Sequence, residues 1–196
     1  MTAPLSPQLD KVALRRELRV RRAAMVGRMS MAERAAIERG VAMRLIPFLG
    51  SATIIAGYVA LGDEIDPAPL LAAIAASGRQ VCLPHVVDRA TPIRFLRWSP
   101  GEALVAGPFR LLQPADDAPE VEPMAILTPL VGFDARLNRL GQGAGHYDRA
   151  FAAHPHAKRI GMAWSVQQVE SLPLEPWDMP LDAIVTEREM IAAGTL

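Results

Sequence analysis

Three alternating glycines are the strongest chemical signal in this sequence. Gly141, Gly143 and Gly145 lie between an apolar, strand-like segment and a helix-like segment. Because glycine has no Cβ, its backbone can take positive φ values and approach a ligand closely, so several N–H groups can converge on one anion. The N-terminus of the following helix adds a positive partial charge. The pattern favours a phosphate-binding loop, with a purely structural glycine turn as the alternative.

The spacing of these glycines matches neither G-x-x-x-x-G-K-[ST] nor G-x-G-x-x-G, which excludes the common nucleotide and dinucleotide fingerprints. The apolar run 125–131 before them predicts a buried strand, and the run from 147 to about 153 predicts a helix. The glycines therefore fall at a strand-to-helix crossing, which is where open α/β sheets bind ligands.

Charged residues flank the glycines. Arg139 precedes them, and Asp148 and Arg149 follow directly. A carboxylate beside phosphate donors is suited to hold a magnesium ion against a nucleotide. Asp148 would equally suit the first turn of a helix without any ligand. Tyr147 could be a core residue or a stacking surface.

Two further acids lie in loops next to predicted strands. Glu64 follows the first strand, where a parallel sheet binds ligands, whereas Asp66 before Pro67 fits a helix cap. Asp178 lies in a Pro- and Trp-bounded loop ahead of the last strand, and a solvated turn acid is its alternative role. The four histidines lack metal-ligand spacing, so no zinc site is predicted. No G-x-S-x-G elbow is present either, which argues against nucleophilic hydrolysis.

The composition points to one globular domain over residues 1–196. The chain is 51% hydrophobic and has a formal net charge of zero, which argues against bulk nucleic-acid binding. Six arginines crowd the first thirty residues, so a nucleic-acid arm is kept as an alternative. The single cysteine, Cys82, indicates a reducing compartment. Without an apolar run of about eighteen residues, a cytoplasmic protein with no membrane partner is expected.

The hydrophobic periodicity alternates between helices and strands. Two helices are predicted over about 7–49, with Ser30 and Glu33 as a capping box between them. A strand at 52–59, a helix near 67–76 and a strand at 80–83 form a βαβ unit. The alternating run 93–98 predicts a half-exposed antiparallel strand. Segment 100–123 is predicted to be irregular and to lie on the surface. Residues 159–164 and 182–186 are predicted to form two more strands.

These residues resemble the signature of the 5-formyltetrahydrofolate cyclo-ligase family, also called 5,10-methenyltetrahydrofolate synthetases. The specific part is the run 128–134 followed by the glycine block 139–149. The resemblance extends nearly end to end through supporting matches, which are Lys11 with Arg15, Tyr58-Val59 with residues 63–66, Leu83-Pro84, Leu172-Pro173, Asp178 and residues 182–187.

The resemblance implies a three-layer α/β sandwich with a mostly parallel sheet, of the kind seen in ribose-5-phosphate isomerase and coenzyme A transferases. It also implies the ATP- and magnesium-dependent cyclisation of 5-formyltetrahydrofolate to 5,10-methenyltetrahydrofolate, with release of ADP and phosphate. The formyl oxygen would be phosphorylated and then displaced by nitrogen 10. A monomer that binds these small molecules and no nucleic acid is expected.

The resemblance also implies roles for individual residues of the site. Arg139 and Asp148 are the implied catalytic residues, and Asp148 and Asp178 are the implied magnesium ligands. The implied folate contacts are Val59, Glu64, Gln142, Gly143, Ala144, Gly145 and His146. The implied ATP contacts are Lys11, Arg15, Arg139, Leu140, Gly141, Gln142, Gly143, Ala144, Gly145, His146 and Tyr147.

Four residues depart from the family pattern. Leu137 replaces a usual Gly, Ala144 a usual Lys or Gly, His146 a usual Tyr or Phe, and Gln113 a usual Glu. Without a loop lysine, Arg139 or Arg149 would have to bind phosphate. A non-catalytic folate- or nucleotide-binding protein on the same fold therefore stays open as an alternative function.

Overall fold

The computed structural model describes residues 7–193. Its helices are α1 (Pro7–Val26), α2 (Met31–Leu49), α3 (Ala68–Ala76) and α4 (His146–Ala153), with 3-10 turns at Pro108–Arg110 and Ser165–Gln167. Its strands are β1 (Ile54–Ala56), β2 (Gln80–His85), β3 (Arg94–Arg97), β4 (Val105–Ala106), β5 (Leu112–Gln113), β6 (Ala125–Pro129), β7 (Gly132–Asp134), β8 (Arg139–Leu140), β9 (Lys158–Met162), β10 (Gln168–Val169), β11 (Ala183–Val185) and β12 (Met190–Ala192).

The helix boundaries follow the predicted signals closely. Ser30 Oγ accepts a hydrogen bond from the Glu33 N–H at 3.2 Å, and the Glu33 carboxylate accepts one from the Ser30 N–H at 2.8 Å. This reciprocal pair is the predicted capping box that starts α2. The Asp66 carboxylate accepts a hydrogen bond from the Ala68 N–H at 2.9 Å at the start of α3. Gly78, with φ of 82°, follows the end of α3.

A seven-stranded sheet in the order β12-β11-β9-β6-β1-β2-β3 forms the centre of the fold. Its five inner strands run parallel, and the two edge strands pair antiparallel. The predicted mostly parallel sheet and the antiparallel strand β3 are therefore confirmed. The second antiparallel edge strand, β12, is an addition that the sequence pattern did not indicate.

Helices cover both faces of this sheet, which makes three layers. On one face, α2 and α3 pack through Leu45 and Leu71 against Ile55 and other strand residues. On the opposite face, α4 packs through Phe151 against Ile126. Successive strand residues point to opposite faces, so burying both faces requires near-continuous apolar strands. The predicted three-layer α/β class is confirmed.

A second sheet, in the order β10-β7-β8, separates β6 from the glycines. The sequence pattern predicted a direct strand-to-helix crossing, but β7 and β8 form a hairpin at that point. Helix α1 lies over this small sheet, where the fully buried Leu18 packs against Val131, Leu140 and Leu172. The hairpin thus brings α1 beside the glycines, although the two are more than a hundred residues apart.

The hairpin turn contains Leu137 in a left-handed conformation, with φ of 66°. The Leu137 N–H donates to the Asp134 carbonyl at 3.1 Å, and the Leu137 carbonyl accepts from the Leu181 N–H at 2.9 Å. Its side chain is buried in the core below α4. This is the position where the family pattern favours Gly, and the buried side chain offsets part of the backbone strain.

The segment 100–123 is irregular, as predicted, apart from the short β4–β5 pair. None of the helices within residues 7–193 is both long enough and apolar enough to cross a membrane.

Candidate active site

Four basic residues lie along one side of α1 at steps of four, four and three residues. These residues, which we call the basic face of α1, are Lys11, Arg15, Arg19 and Arg22. Steps of three and four place side chains on one side of a helix. Each of the four contacts a different partner in the loops at the ends of the strands. The helix therefore spans all the loops that the sequence singled out.

Lys11 and Arg15 contact the end of the site nearest Asp178. Lys11 Nζ forms an ion pair with the Asp178 carboxylate at 2.7 Å. Arg15 Nε donates to the Gly141 carbonyl at 2.8 Å. Burial lowers the pKa of Arg15, the neighbouring Arg19 lowers it further, and Asp178 opposes both effects. A partly desolvated guanidinium beside a second one favours binding of an anion.

The glycine loop, residues 141–145, has the backbone geometry that the sequence suggested at two of its three glycines. Gly143 and Gly145 have φ of 100° and 68°, which L side chains rarely adopt. A Cβ on Gly143 would also lie 3.3 Å from the guanidinium carbon of Arg15. Gly141 has no positive φ, and the space beside it is open. Gly145 directly precedes α4, so the loop leads into a helix N-terminus.

Arg139 and Asp148, the two predicted catalytic residues, contact each other. One terminal nitrogen of Arg139 forms an ion pair with the Asp148 carboxylate, and the other donates to the Met179 carbonyl. The guanidinium also lies 4.7 Å from the centre of the Phe151 ring. The Arg139 side chain is only 4% exposed. It therefore ties α4 to the segment that carries Asp178.

The predicted metal ligands are both held in ion pairs. Asp148 pairs with Arg139, and Asp178 pairs with Lys11 and accepts a hydrogen bond from the Glu175 N–H at 2.8 Å. Within residues 7–193, no group of three or more His, Cys, Asp or Glu side chains is placed to hold a metal ion. The protein could thus offer two carboxylates. This fits magnesium, which typically binds one or two carboxylates together with phosphate oxygens and water.

The predicted folate contact Glu64 lies beside the glycine loop. Its carboxylate accepts hydrogen bonds from the Leu61 N–H at 3.0 Å and from Gln142 Nε2 at 3.2 Å. Glu64 is only 4% exposed, and this burial raises the pKa of its carboxyl, although the Leu61 amide, Arg22 and Gln142 act in the opposite direction. We call residues 61–66 the acidic loop. It and the glycine loop meet at Glu64 and Gln142.

Two tyrosines lie near Glu64. The Tyr58 hydroxyl donates to the Ile65 carbonyl at 2.6 Å. Burial and the nearby Glu64 raise the pKa of both Tyr58 and Tyr147. The Tyr147 ring packs 6.1 Å from that of Phe151, at the margin of the core. Of the two roles left open by the sequence, packing fits Tyr147 better than stacking on a ligand.

Val59 and Leu140 also face the protein interior. Val59 is partly buried against the core below α2 and α3. Leu140 is buried in the cluster that packs under α1. The Leu140 side chain therefore does not reach the predicted ATP site, and the Leu140 carbonyl accepts a hydrogen bond from the Val131 N–H at 2.8 Å.

Arg149 contacts both Ala144 and His146, two of the residues that depart from the family pattern. Its guanidinium donates to the Ala144 carbonyl at 3.2 Å, and it lies 3.1 Å from Nδ1 of His146. Burial lowers the pKa of His146, and Arg149 and Arg89 lower it further, which favours a neutral imidazole. A positive charge is therefore present at the loop without a loop lysine.

Gln113, the fourth residue that departs from the family pattern, has a structural role. Its buried side-chain oxygen accepts a hydrogen bond from the Val86 N–H at 3.0 Å. A Cβ on Gly107 would collide with the Gln113 amide at 2.5 Å. Gln113 thus ties the irregular segment to the end of β2.

Sequence reasoning missed Arg19 and Arg22. Neither was singled out among the six arginines of the first thirty residues, although Arg22 is only 5% exposed. Arg19 donates to Oε1 of Gln142 at 2.5 Å, and Arg22 donates to Oδ1 of Asp63 at 3.1 Å. The regular steps that lead from Lys11 through Arg15 were the signal that could have identified both residues.

Comparison with known proteins agrees with this geometry. Residues 7–187 match the model of the 5-formyltetrahydrofolate cyclo-ligase family. A 5-formyltetrahydrofolate cyclo-ligase of Escherichia coli strain K12 is 35% identical over 151 residues, which cover 74% of this chain and 83% of that protein. The Haemophilus influenzae protein of the same name is 36% identical over 135 residues, covering 65% and 72%.

Solved structures give the same result over almost the whole chain. The NMR structure of Aquifex aeolicus 5,10-methenyltetrahydrofolate synthetase superimposes with a TM-score of 0.78 at 28% identity and covers 95% of this chain and 94% of that one. The Mycoplasma pneumoniae 5,10-methenyltetrahydrofolate synthetase gives a TM-score of 0.69 at 26% identity, covering 91% and 99%. The chain belongs to the 5-formyltetrahydrofolate cyclo-ligase family.

Proposed function

We propose that this chain catalyses the ATP-dependent cyclisation of 5-formyltetrahydrofolate to 5,10-methenyltetrahydrofolate, releasing ADP and phosphate. The observation that carries the proposal is the meeting of the glycine loop with the acidic loop at Gln142 and Glu64. One loop has the geometry to bind a nucleotide's phosphates, and the other has a buried carboxylate to bind the pterin. We infer that one domain acts as a monomer, since all these contacts come from one chain.

The nucleotide would bind between α1 and the glycine loop. Arg15 and Arg19 already lie against this loop, through Gly141 and Gln142. Backbone N–H groups in left-handed glycine conformations and the N-terminus of α4 favour phosphate at the same place. The basic face of α1 points at the protein's own loops, so it suits a small anion better than a nucleic-acid backbone.

The first chemical step would be phosphoryl transfer. The oxygen of the formyl group on nitrogen 5 attacks the terminal phosphorus of ATP. The bond between that phosphorus and the bridging oxygen breaks, which releases ADP. A formamide oxygen is a poor leaving group until it carries phosphate. Positioning and charge neutralisation carry this kind of reaction, so arginines and backbone amides suffice without a Ser, Cys or His nucleophile.

The second step would close the ring. The lone pair of nitrogen 10 attacks the formyl carbon, the carbon–oxygen bond breaks, and phosphate leaves with both electrons. Nitrogen 10 loses its proton, which leaves the methenyl bridge between the two nitrogens. The role of Glu64 would be to accept hydrogen bonds from the pterin N–H groups, which fixes the distance between nitrogen 10 and the formyl carbon.

We infer that magnesium is the accompanying metal and that Asp148 and Asp178 would hold it. When bound, it would neutralise charge on the transferring phosphate. The ion pairs with Arg139 and Lys11 hold both carboxylates in place before the nucleotide arrives. On binding, Lys11 would be free to exchange Asp178 for a phosphate oxygen.

The test is to mix the protein with ATP, magnesium and 5-formyltetrahydrofolate and to follow the near-ultraviolet absorbance of the methenyl product. The proposal expects absorbance to rise only when all three are present, with ADP formed in equal amount. Omission of ATP and replacement of Asp148 by Asn are the controls. Binding of both ligands by calorimetry without any absorbance change would instead identify a non-catalytic binding protein and overturn the proposal.

A further inference from the structure

Arg22 is a buried cation at the inner end of the basic face of α1. It donates to Oδ1 of Asp63 at 3.1 Å and to the Leu130 carbonyl at 3.4 Å. The terminal nitrogen that donates to Leu130 also lies 4.0 Å from Oε1 of Glu64. A guanidinium held between two neighbouring carboxylates compensates both, whereas an isolated buried charge would be costly.

We propose that Arg22 is a positioning residue for folate binding, which holds the Glu64 carboxylate directed at the glycine loop. The inference deepens the proposed function and rests on it. Arg22 acts through Glu64, and we assign it no direct contact with substrate.

The backbone of the acidic loop is held independently of Arg22. Arg34 of α2 donates to the Glu64 carbonyl at 2.7 Å and to the Gly62 carbonyl at 3.2 Å. Trp164 Nε1 donates to the Asp63 carbonyl at 2.9 Å from the other side. Removal of the Arg22 charge should therefore leave the path of the loop unchanged. Its effect should fall on the carboxylates.

Within residues 7–193, titratable and charged groups approach Glu64 from four helices and loops besides its own. Arg22 comes from α1, Arg34 from α2, where it contacts the Glu64 carbonyl, Tyr58 from the segment after β1, and Tyr147 from α4, while Asp63 belongs to the acidic loop itself. Arg22 is the cation among them that favours the ionised form of Glu64, while Asp63 disfavours it. Changes at Arg22 and at Asp63 should thus move the protonation of Glu64 in opposite directions.

The same helix carries the residues at the nucleotide end. Lys11 and Arg22 are eleven residues apart, which is about 16 Å along a helix. Arg22 therefore lies at the far end of α1 from the Lys11–Asp178 pair. Loss of the Arg22 side chain should weaken the folate end selectively.

The first experiment compares Arg22→Gln, Arg22→Lys and the control Arg21→Gln, which alters an exposed arginine of the same helix that pairs with Glu17. For Arg22→Gln, we expect the KM for 5-formyltetrahydrofolate to rise roughly tenfold, with the KM for ATP within about twofold. Arg22→Lys should give an intermediate value, because an ammonium keeps the charge but lacks the two separate nitrogens that reach Asp63 and Leu130. It also serves as the test if Arg22→Gln does not fold.

The second experiment measures the pH profile of kcat/KM for folate. The acid limb should move to higher pH in Arg22→Gln and to lower pH in Asp63→Asn, since these changes remove opposite charges beside Glu64. Equal losses for both substrates, or an Arg22→Gln profile matching that of Arg21→Gln, would overturn the role of Arg22.

Calorimetric binding of 5-formyltetrahydrofolate to the same variants keeps this test separate from turnover. If the wild type forms no methenyl product, the proposed function fails. If the wild type turns over but Arg22→Gln binds folate as the wild type does, only the inference about Arg22 fails.

Discussion

Gln142 donates a hydrogen bond from Nε2 to Oε1 of Glu64 at 3.2 Å, which joins two loops that are 78 residues apart in sequence. The other end of the same amide accepts a hydrogen bond from Arg19. The Gln142 side chain thus links its own loop, the glycine loop, to both α1 and the acidic loop.

Replacement of Asp148 by Asn should lower kcat by at least about 100-fold, because the amide loses the negative charge that a metal ligand needs. The fold should survive, since an asparagine oxygen can still accept the hydrogen bond from Arg139. Steady-state kinetics and thermal unfolding measure the two effects. Asp117→Asn, at an exposed position, is the matched control. A variant that keeps most of its rate would refute the metal assignment.

Replacement of Arg15 by Ala should raise the KM for ATP by about 10-fold or more, since a charge-assisted donor beside the glycine loop is lost. The KM for folate should stay within about twofold. Arg16→Ala, one residue further along and exposed, controls for the loss of positive charge on the helix. Equal weakening of both substrates would point to a disturbed fold.

Folate affinity should fall as the pH is lowered, and the fall should begin above the ordinary range for glutamate. Burial raises the pKa of Glu64, so protons accumulate on its carboxyl at a higher pH than on an exposed one. Because the pKa of Glu64 is raised in the folded state, that state binds a proton more readily than the unfolded one. Protonation of Glu64 therefore favours the folded state as the pH falls. Calorimetric dissociation constants across pH measure the binding effect. Glu64→Gln should bind weakly at every pH, and an unchanged pH profile in that variant would contradict the assignment.

At position 137, a Gly variant should be more stable than an Ala variant, which reverses the usual order of stability. Leu137 has φ of 66° and a buried side chain, so both variants lose packing, at a cost of about 2–5 kcal/mol for Leu→Ala. Only glycine relieves the left-handed strain, which is about 1–2 kcal/mol. Leu137→Gly should therefore unfold at a higher denaturant concentration than Leu137→Ala. The opposite order would show that the turn is unstrained.

Local signals in the sequence were sufficient for most of the fold. The Ser30–Glu33 capping box, the break at Gly78 and the apolar run 125–131 each depend on neighbouring residues, and the structure has all three features. The β7–β8 hairpin was missed because its strands are short and its turn carries Leu137 where a turn signal would be Gly.

The site was predictable only in part, for a related reason. The glycine spacing and the flanking charges identified the loop, and the family resemblance extended this to Glu64 and Asp178. The burial of Arg22 could not be read from its neighbours, because its partner Asp63 is 41 residues away. Pairing across such distances depends on the topology, which the local pattern does not encode.

The contacts of α1 have a consequence for protein synthesis. Helix α1 leaves the ribosome before its partners, because Gly141, Gln142 and Asp178 are made 126, 123 and 167 residues after the helix residues they contact. Until Val131, Leu140 and Leu172 have been translated, the apolar side of α1 at Leu18 has no surface to cover it. Nascent chains of this protein should thus acquire the capacity to bind nucleotide only after residue 178 has left the ribosome.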